Sequence, residues 1–221
     1  SSATVTAPPC GPGGICGRVH RDPQPSEMAR TQQQRRADTI ARLLDASIQT
    51  IVEVGYARAS AATIAKRAGL SVGALFRHYP TMGDFMAATG HEVLRRQLDL
   101  FGKRVAEIPP ERPALADVLQ ILCDVTGNDT NAVLYELMIA ARTDAALRTS
   151  LQDVLTEYAT KIGEVAAGLP GVDRFPANSI PVLTALLTNT FDGAALLRAV
   201  LPIPELEDKR IALLTDLLAG R

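Results

Sequence analysis

Between Ser60 and Tyr79 the chain gathers small side chains and hydrogen-bond donors at helical spacing: Ser60, Lys66, Ser71, Val72, Gly73, Ala74, Arg77, His78 and Tyr79. These residue types do not make a set for breaking or forming bonds. Ser, Lys, Arg, His and Tyr can each donate to a phosphate oxygen, which fixes position along a nucleic-acid backbone. Ser71, Val72, Gly73 and Ala74 are small enough to bring a helix against base edges and thymine methyls. The chemistry on offer is recognition of double-stranded DNA. Residues 71–74 would face bases, while Ser60, Lys66, Arg77, His78 and Tyr79 would mainly hold phosphates.

Residue types suited to catalysis are scattered elsewhere. His20 stands in the N-terminal tail, His78 in the segment just described and His91 on a later helix. The chain has no H-E-x-x-H, no G-x-S-x-G and no Gly-rich phosphate loop followed by Lys. Gly11, Gly13 and Gly14 have no strand before them and no helix after them. Catalytic residues, cofactors and enzymatic activity are therefore not expected. Cys10 and Cys16 are separated by five residues with only His20 as a third ligand, so no metal site is expected either. Three cysteines are an odd number, which argues against a disulfide framework. Cys123 falls on an apolar helical face.

The elements that must carry the recognition residues are two short helices and a tight turn. Ser60 suits an N-cap, since its hydroxyl can accept an orphan N–H of the first turn. Thr63 to Ala68 form the first helix, with Ile64, Ala65 and Ala68 inward. Gly69 ends it in the left-handed region. Leu70 plugs the gap, Ser71 caps the second helix over residues 72–79, and Pro80 stops it. This is the layout of a helix-turn-helix, whose second helix enters the major groove. Spacing alone also fits an ordinary helical hairpin with a glycine turn. A preceding helix over residues 33–54 carries Ala37, Ile40, Leu44, Ser47, Ile51 and Val54 on one stripe, and would complete a three-helix core.

Leu43 to Tyr56 followed by Ser60 to Tyr79 resembles the N-terminal domain of the TetR family of transcriptional regulators. The likeness includes the Gly55-Tyr56 turn, Ile64-Ala65, Ala68-Gly69, Ser71 and the run from Leu75 to Tyr79. It implies an all-α homodimer: an N-terminal three-helix helix-turn-helix domain plus a C-terminal helical bundle that dimerises and usually binds a small ligand. It implies a repressor on a palindromic operator. Two positions depart from the family pattern. Phe76 stands where Tyr usually contacts a phosphate, and Met82 stands where Lys is usual. Operator affinity is then lower than is typical, or carried by other residues. The alternative is a small-molecule-binding helical protein with weak or lost DNA binding.

The expected division is a basic Pro/Gly-rich tail over residues 1–32, without order, a DNA-binding domain over 33–82, and a ligand-binding and dimerisation domain over 83–221. Arg18, Arg21, Arg30, Arg35 and Arg36 make the tail either a solvated segment or an arm along DNA. Thr81 to Asp84 reads as a capping box opening a helix to about residue 107, with Phe85, Leu94, Leu98 and Phe101 inward. Five more helices follow, at about 113–126, 131–142, 144–168, 178–200 and 204–219. Residues 180–200 are nearly apolar all round, and a helix of that kind must be buried all round. A second copy packed on it and on the last helix would achieve that. A pocket between the bundle helices would take a small apolar effector, with Leu98, Phe101, Leu119, Cys123, Leu134, Met138, Tyr158, Thr184, Thr188 and Phe191 as candidate lining.

Charge supports the division. The net charge of −1 would by itself argue against nucleic acid. Residues 1–104, however, hold 14 Lys and Arg against 8 Asp and Glu, while residues 105–221 hold 9 against 16. A basic head on an acidic body suits a DNA reader. Charges interrupt every apolar run short of a membrane span, and the N-terminus lacks a signal-like apolar stretch. A cytoplasmic protein with no membrane partner is expected.

Overall fold

The computed structural model describes residues 25–109, 111, 114–169 and 171–220, with the backbone alone for residues 25–30. Among them are nine α-helices and no strand. The chain divides into two units, residues 1–38 and 39–221. In the first, residues 25–38 form the opening part of α1 (Pro25–Val54), and Gln34 Nε2 donates to Asp38 Oδ1 at 3.0 Å. The helix therefore begins eight residues before the expected start at 33. Proline is well placed in a first turn, where its missing N–H costs nothing, and residues 26–32 contain no Gly or Pro to stop the helix. Residues 25–32, expected as part of the tail, are thus helical. Residues 1–24, with Cys10, Cys16, Arg18, His20 and Arg21, lie outside the described residues.

The second unit starts with a three-helix head: the rest of α1, α2 (Ala61–Arg67) and α3 (Val72–His78). Each start is fixed locally. Ser60 accepts from Thr63 N at 3.2 Å and Ser71 from Ala74 N at 3.1 Å. Between them Gly69 has φ of 65°, where L side chains are strained, and Leu70 N returns to Ala65 O at 2.9 Å. Arg42 Nη2 donates to Ala68 O at 2.5 Å, so a cation satisfies an orphan carbonyl at the negative end of α2. The buried stripe of α1 is Leu43, Ala46, Ser47, Ile48, Thr50 and Ile51. Only Ser47 and Ile51 of the expected stripe are in it. Ile40, Leu44 and Val54 are half-buried and Ala37 is exposed, because α1 is flanked by neighbours on two sides and buries a wider, rotated face.

α4 (Met82–Ala106) opens on a complete capping box. Asp84 N donates to Thr81 Oγ1 at 3.0 Å and Thr81 N to Asp84 Oδ2 at 3.2 Å. The body follows as α5 (Leu115–Thr126), α6 (Asp129–Ala141), α7 (Ala145–Ala167), α8 (Ile180–Arg198) and α9 (Pro204–Ala219). One apolar core runs without a break from the head into the body. It holds Leu43, Ile51, Ile64 and Leu75 together with Phe85, Met86, Val93, Leu94, Val133, Leu134, Leu137, Leu147 and Leu151. Polar ties cross the same boundary. Thr89 Oγ1 donates to Ser47 Oγ at 2.9 Å, both fully buried. Tyr56 N donates to Glu136, and Arg96 pairs with Asp45. Arg96 also reaches Glu92 at 2.7 Å, and Arg95 and Arg96 together hold the Glu92 carboxyl down to about 2.

A second, smaller cluster joins Leu119, Cys123 and Phe191, with Leu187, Ile211, Leu214 and Leu218 against it. α8 is not buried all round. Ile180, Phe191 and Ala194 face inward, while Val182, Leu186 and Leu197 are exposed, as is Val200 just past the helix end. By length and composition, residues 177–198 also suffice for a membrane span, contrary to the expectation that charges break every such run. Asp192 and Arg198 are the only charges there, too few to rule it out on composition.

Candidate nucleic-acid interface and ligand cavity

The exposed surface of α3 is built from its first turn outward. Ser71, Val72 and Gly73 are exposed and Ala74 is half-buried, above Leu75, which is fully buried in the head core. Phe76, at 41% exposed, and Arg77 come next on the open side. Ser60 and Lys66 are exposed on the neighbouring α2 end and cap. Arg67 is engaged by the Glu53 carboxylate, whose pKa it lowers. Among the described residues no carboxylate pairs with Lys66 or Arg77, so both cations are available to an anionic partner.

His78 is half-buried. Tyr79 is turned further in: its ring lies 5.0 Å from that of Phe85, and it packs on the head core. Burial, with the Glu92 charge adding to it, raises its pKa. The expected grouping of Tyr79 with the outer donors is therefore only half met, because α3 ends at His78 and the extended backbone at Tyr79 redirects the side chain. Met82 is half-buried and packs on the same core.

In the body, helices α4 to α8, with Leu218 of α9, line a cavity of about 150 Å³ that is partly open to solvent. Leu98, Phe101, Leu119, Leu134, Tyr158, Thr184 and Thr188 line it, as expected. Cys123, Met138 and Phe191 do not. Cys123 and Phe191 are sealed in the second cluster, and Met138 packs into the head core. All three lie on apolar faces, but helix periodicity does not say which space a face meets.

The cavity also has polar members that apolar patterning passed over: Gln97, Asn131, Asp192 and, from the loop before α8, Arg174. Gln97, 2% exposed, pairs reciprocally with Asn128, both bonds 2.9 Å. Asn131 Nδ2 donates to Tyr135 Oη at 2.7 Å and to Thr126 O at 2.9 Å. Tyr135 Oη lies 2.7 Å from Asp192 Oδ1, close enough to donate to it. Burial raises the pKa of Asp192, and the Tyr135 bond offsets part of that. The phenol of Tyr158 is pushed up to about 12 by burial and by the Asp192 charge. A lone Asp in an otherwise apolar helix was the available sequence signal for this site. Among the described residues no three His, Cys, Asp or Glu side chains converge as a metal would need.

A capped helix-turn-helix on a helical body with an internal cavity defines the class: a helical DNA-binding regulator. Comparisons with known proteins agree. Residues 43–89 match the family model described as bacterial regulatory proteins, tetR family. The chain is 66% identical over 193 residues to the uncharacterized HTH-type transcriptional regulator Rv2912c of Mycobacterium tuberculosis, covering 87% of this chain and 99% of that one. Two solved structures are also similar. A TetR-family member from Streptomyces coelicolor A3 has a TM-score of 0.61 at 26% identity, covering 81% of this chain and 97% of that one. The multidrug binding protein EbrR complexed with ethidium has a TM-score of 0.59 at 26% identity, covering 81% and 98%. The chain belongs to the TetR family of helix-turn-helix transcriptional regulators.

Proposed function

We propose that this chain is a ligand-responsive repressor that acts in the cytoplasm and binds a palindromic operator as a homodimer. Residues 33–82 read DNA, while residues 83–221 bind an effector and dimerise. The observation that carries the reading is a sharing of side chains. Leu94 and Leu134 line the cavity and also belong to the core that packs beneath α2 and α3. An effector that moves either leucine changes the packing under the reading helix. Close-packed cores do not deform freely, so the head responds to the ligand. A coupling of about 1–3 kcal/mol between two such sites is usual. That the EbrR structure contains ethidium supports the cavity as an effector site.

Selection of bound DNA from a random pool tests the whole reading. A palindrome with half-sites about one helical turn apart is the expected result. An enriched sequence without symmetry would remove the dimer. The rival reading, a small-molecule binder with weak or lost DNA binding, draws on Phe76, which offers no hydroxyl at the exposed surface of α3. No enrichment at all would favour it.

Met82 supplies a separate test. A lysine there has a stem of similar length, which can keep part of the core contact while the ammonium reaches solvent. Each phosphate neutralised steepens log K against log salt by about 0.9. Met82→Lys should therefore steepen the slope by about one and leave base preference unchanged. The melting temperature should fall slightly, since packing is lost and a cation enters the first turn of α4. Operator affinity at several salt concentrations checks this. An unchanged slope would make Met82 a packing residue only.

A further inference from the structure

The cavity is apolar in most of its wall, yet α8 carries a carboxylate into it. We infer that the effector is an organic cation, an apolar body with a protonated or quaternary nitrogen seated against Asp192. The inference rests on the proposed reading of the cavity as the effector site and names the chemistry of what enters it.

Burying a carboxylate is costly unless it is paired and hydrogen-bonded. Asp192 is half-buried and has one such bond. Oδ1 can accept from Tyr135 Oη at 2.7 Å, and no described group hydrogen-bonds Oδ2. No Lys or Arg among the described residues forms an ion pair with it. Arg198, further along the same helix, pairs through Nε with Glu207 at 3.0 Å, and its Nη2 is buried without a hydrogen-bond partner rather than turned to Asp192. Arg174 lines the cavity but is exposed, with its guanidinium 5.1 Å above the Phe175 ring. Among the described residues Asp192 thus has one hydrogen bond and no ion-pair partner.

The surroundings suit a cation in other ways. Phe101 and Tyr158 line the same cavity, and an aromatic face attracts a cation within about 6 Å. Tyr158 and Asp192 both line it, which places ring and carboxylate around one space. A neutral ligand would leave Oδ2 unmatched, and an anion would add like charge beside it. Either would lose affinity relative to a cation of equal shape.

The test compares three probes of nearly one shape on the full chain by titration calorimetry. Phenyltrimethylammonium is the cation, tert-butylbenzene its neutral isostere and 4-tert-butylbenzoate the anion. The cation should bind about tenfold more tightly than the neutral isostere, the ratio that 1.4 kcal/mol gives. Asp192→Asn keeps shape and an acceptor for Tyr135, so it should erase that preference while leaving tert-butylbenzene affinity unchanged. Equal affinity for cation and isostere in the parent chain, a preference for the benzoate, or a cation preference that survives in Asp192→Asn would each overturn the inference. In those cases bound probe still leaves the cavity standing as an effector site. Binding of none of the three probes would overturn both readings. The parent-chain comparison decides even if Asp192→Asn does not fold.

Discussion

Gly73→Glu should abolish operator binding at concentrations where the parent chain saturates the DNA, with the melting temperature unchanged or raised. Gly73 is exposed in the first turn of α3, and a Cβ built there meets nothing closer than Ser71 Oγ at 3.9 Å. The fold has room for a side chain. Replacing glycine in a helix favours the helix by roughly 0.5–1 kcal/mol. A carboxylate in the first turn adds about 0.3–1 kcal/mol through the helix dipole. Every intrachain effect is neutral or stabilising, so lost binding would locate the damage at the DNA surface. There the same carboxylate meets phosphates and blocks the approach of the backbone to base edges. Gly73→Ala keeps the surface small and should retain most of the affinity. Arg77→Ala should behave differently, weakening all sequences about equally and reducing the salt slope by about one. Titrations against the selected operator and a scrambled duplex, beside thermal melts, separate these outcomes. Retained operator affinity in Gly73→Glu would mean that α3 is not the reading helix. Sequence-selective loss in Arg77→Ala would mean that it reads bases.

The features predicted well are those fixed within one turn of chain. Ser60, Ser71 and the Thr81–Asp84 pair cap the helices expected of them, because a cap needs only a side chain and an N–H two or three residues on. Gly69 has the positive φ expected of it for the same local reason. Facing is a different matter. On α1 the expected stripe and the buried one differ, since the neighbours of a helix decide how far round it is covered. The cavity was legible to the extent that Leu98, Phe101, Leu119, Leu134, Tyr158, Thr184 and Thr188 line it. A cavity is where side chains from several helices fail to meet, and the periodicity of one helix cannot report that. Phe191 illustrates the point: it falls on the apolar face of α8 shared with Thr184 and Thr188, but it is sealed against Leu119 and Cys123. Met82 folds back on the core, which the capping chemistry of Thr81 and Asp84, on either side of it and Gly83, does not report.

Leu197→Asp and Leu217→Asp should each give a folded monomer that binds a full palindromic operator far more weakly. Val182, Leu186 and Leu197 form an exposed stripe on α8, Val200 is exposed just past its end, and Leu206, Leu213 and Leu217 are exposed on α9. Large apolar side chains left exposed on both helices mark an interaction face. Gly193 lies on the exposed side of α8 with nothing within 4 Å of a Cβ built there, which lets a second helix come close. Leu197 is 66% exposed and Leu217 62%, so an aspartate at either position costs the isolated chain little. In a dimer the same carboxylate is buried without a partner and is expensive. Leu214 looks equivalent by periodicity but is not, because it packs on Leu119, Cys123 and Phe191 within its own chain. Leu214→Asp should lower the melting temperature whether or not the protein dimerises. That contrast separates loss of interface from loss of fold. Unlinked heads lose the effective concentration that one bound head gives the other, so affinity for the palindrome should fall about 10²- to 10⁴-fold while affinity for a single half-site stays the same. Sedimentation and titration on full and half operators measure both. Intact dimers from both Leu197→Asp and Leu217→Asp would place the interface on another face.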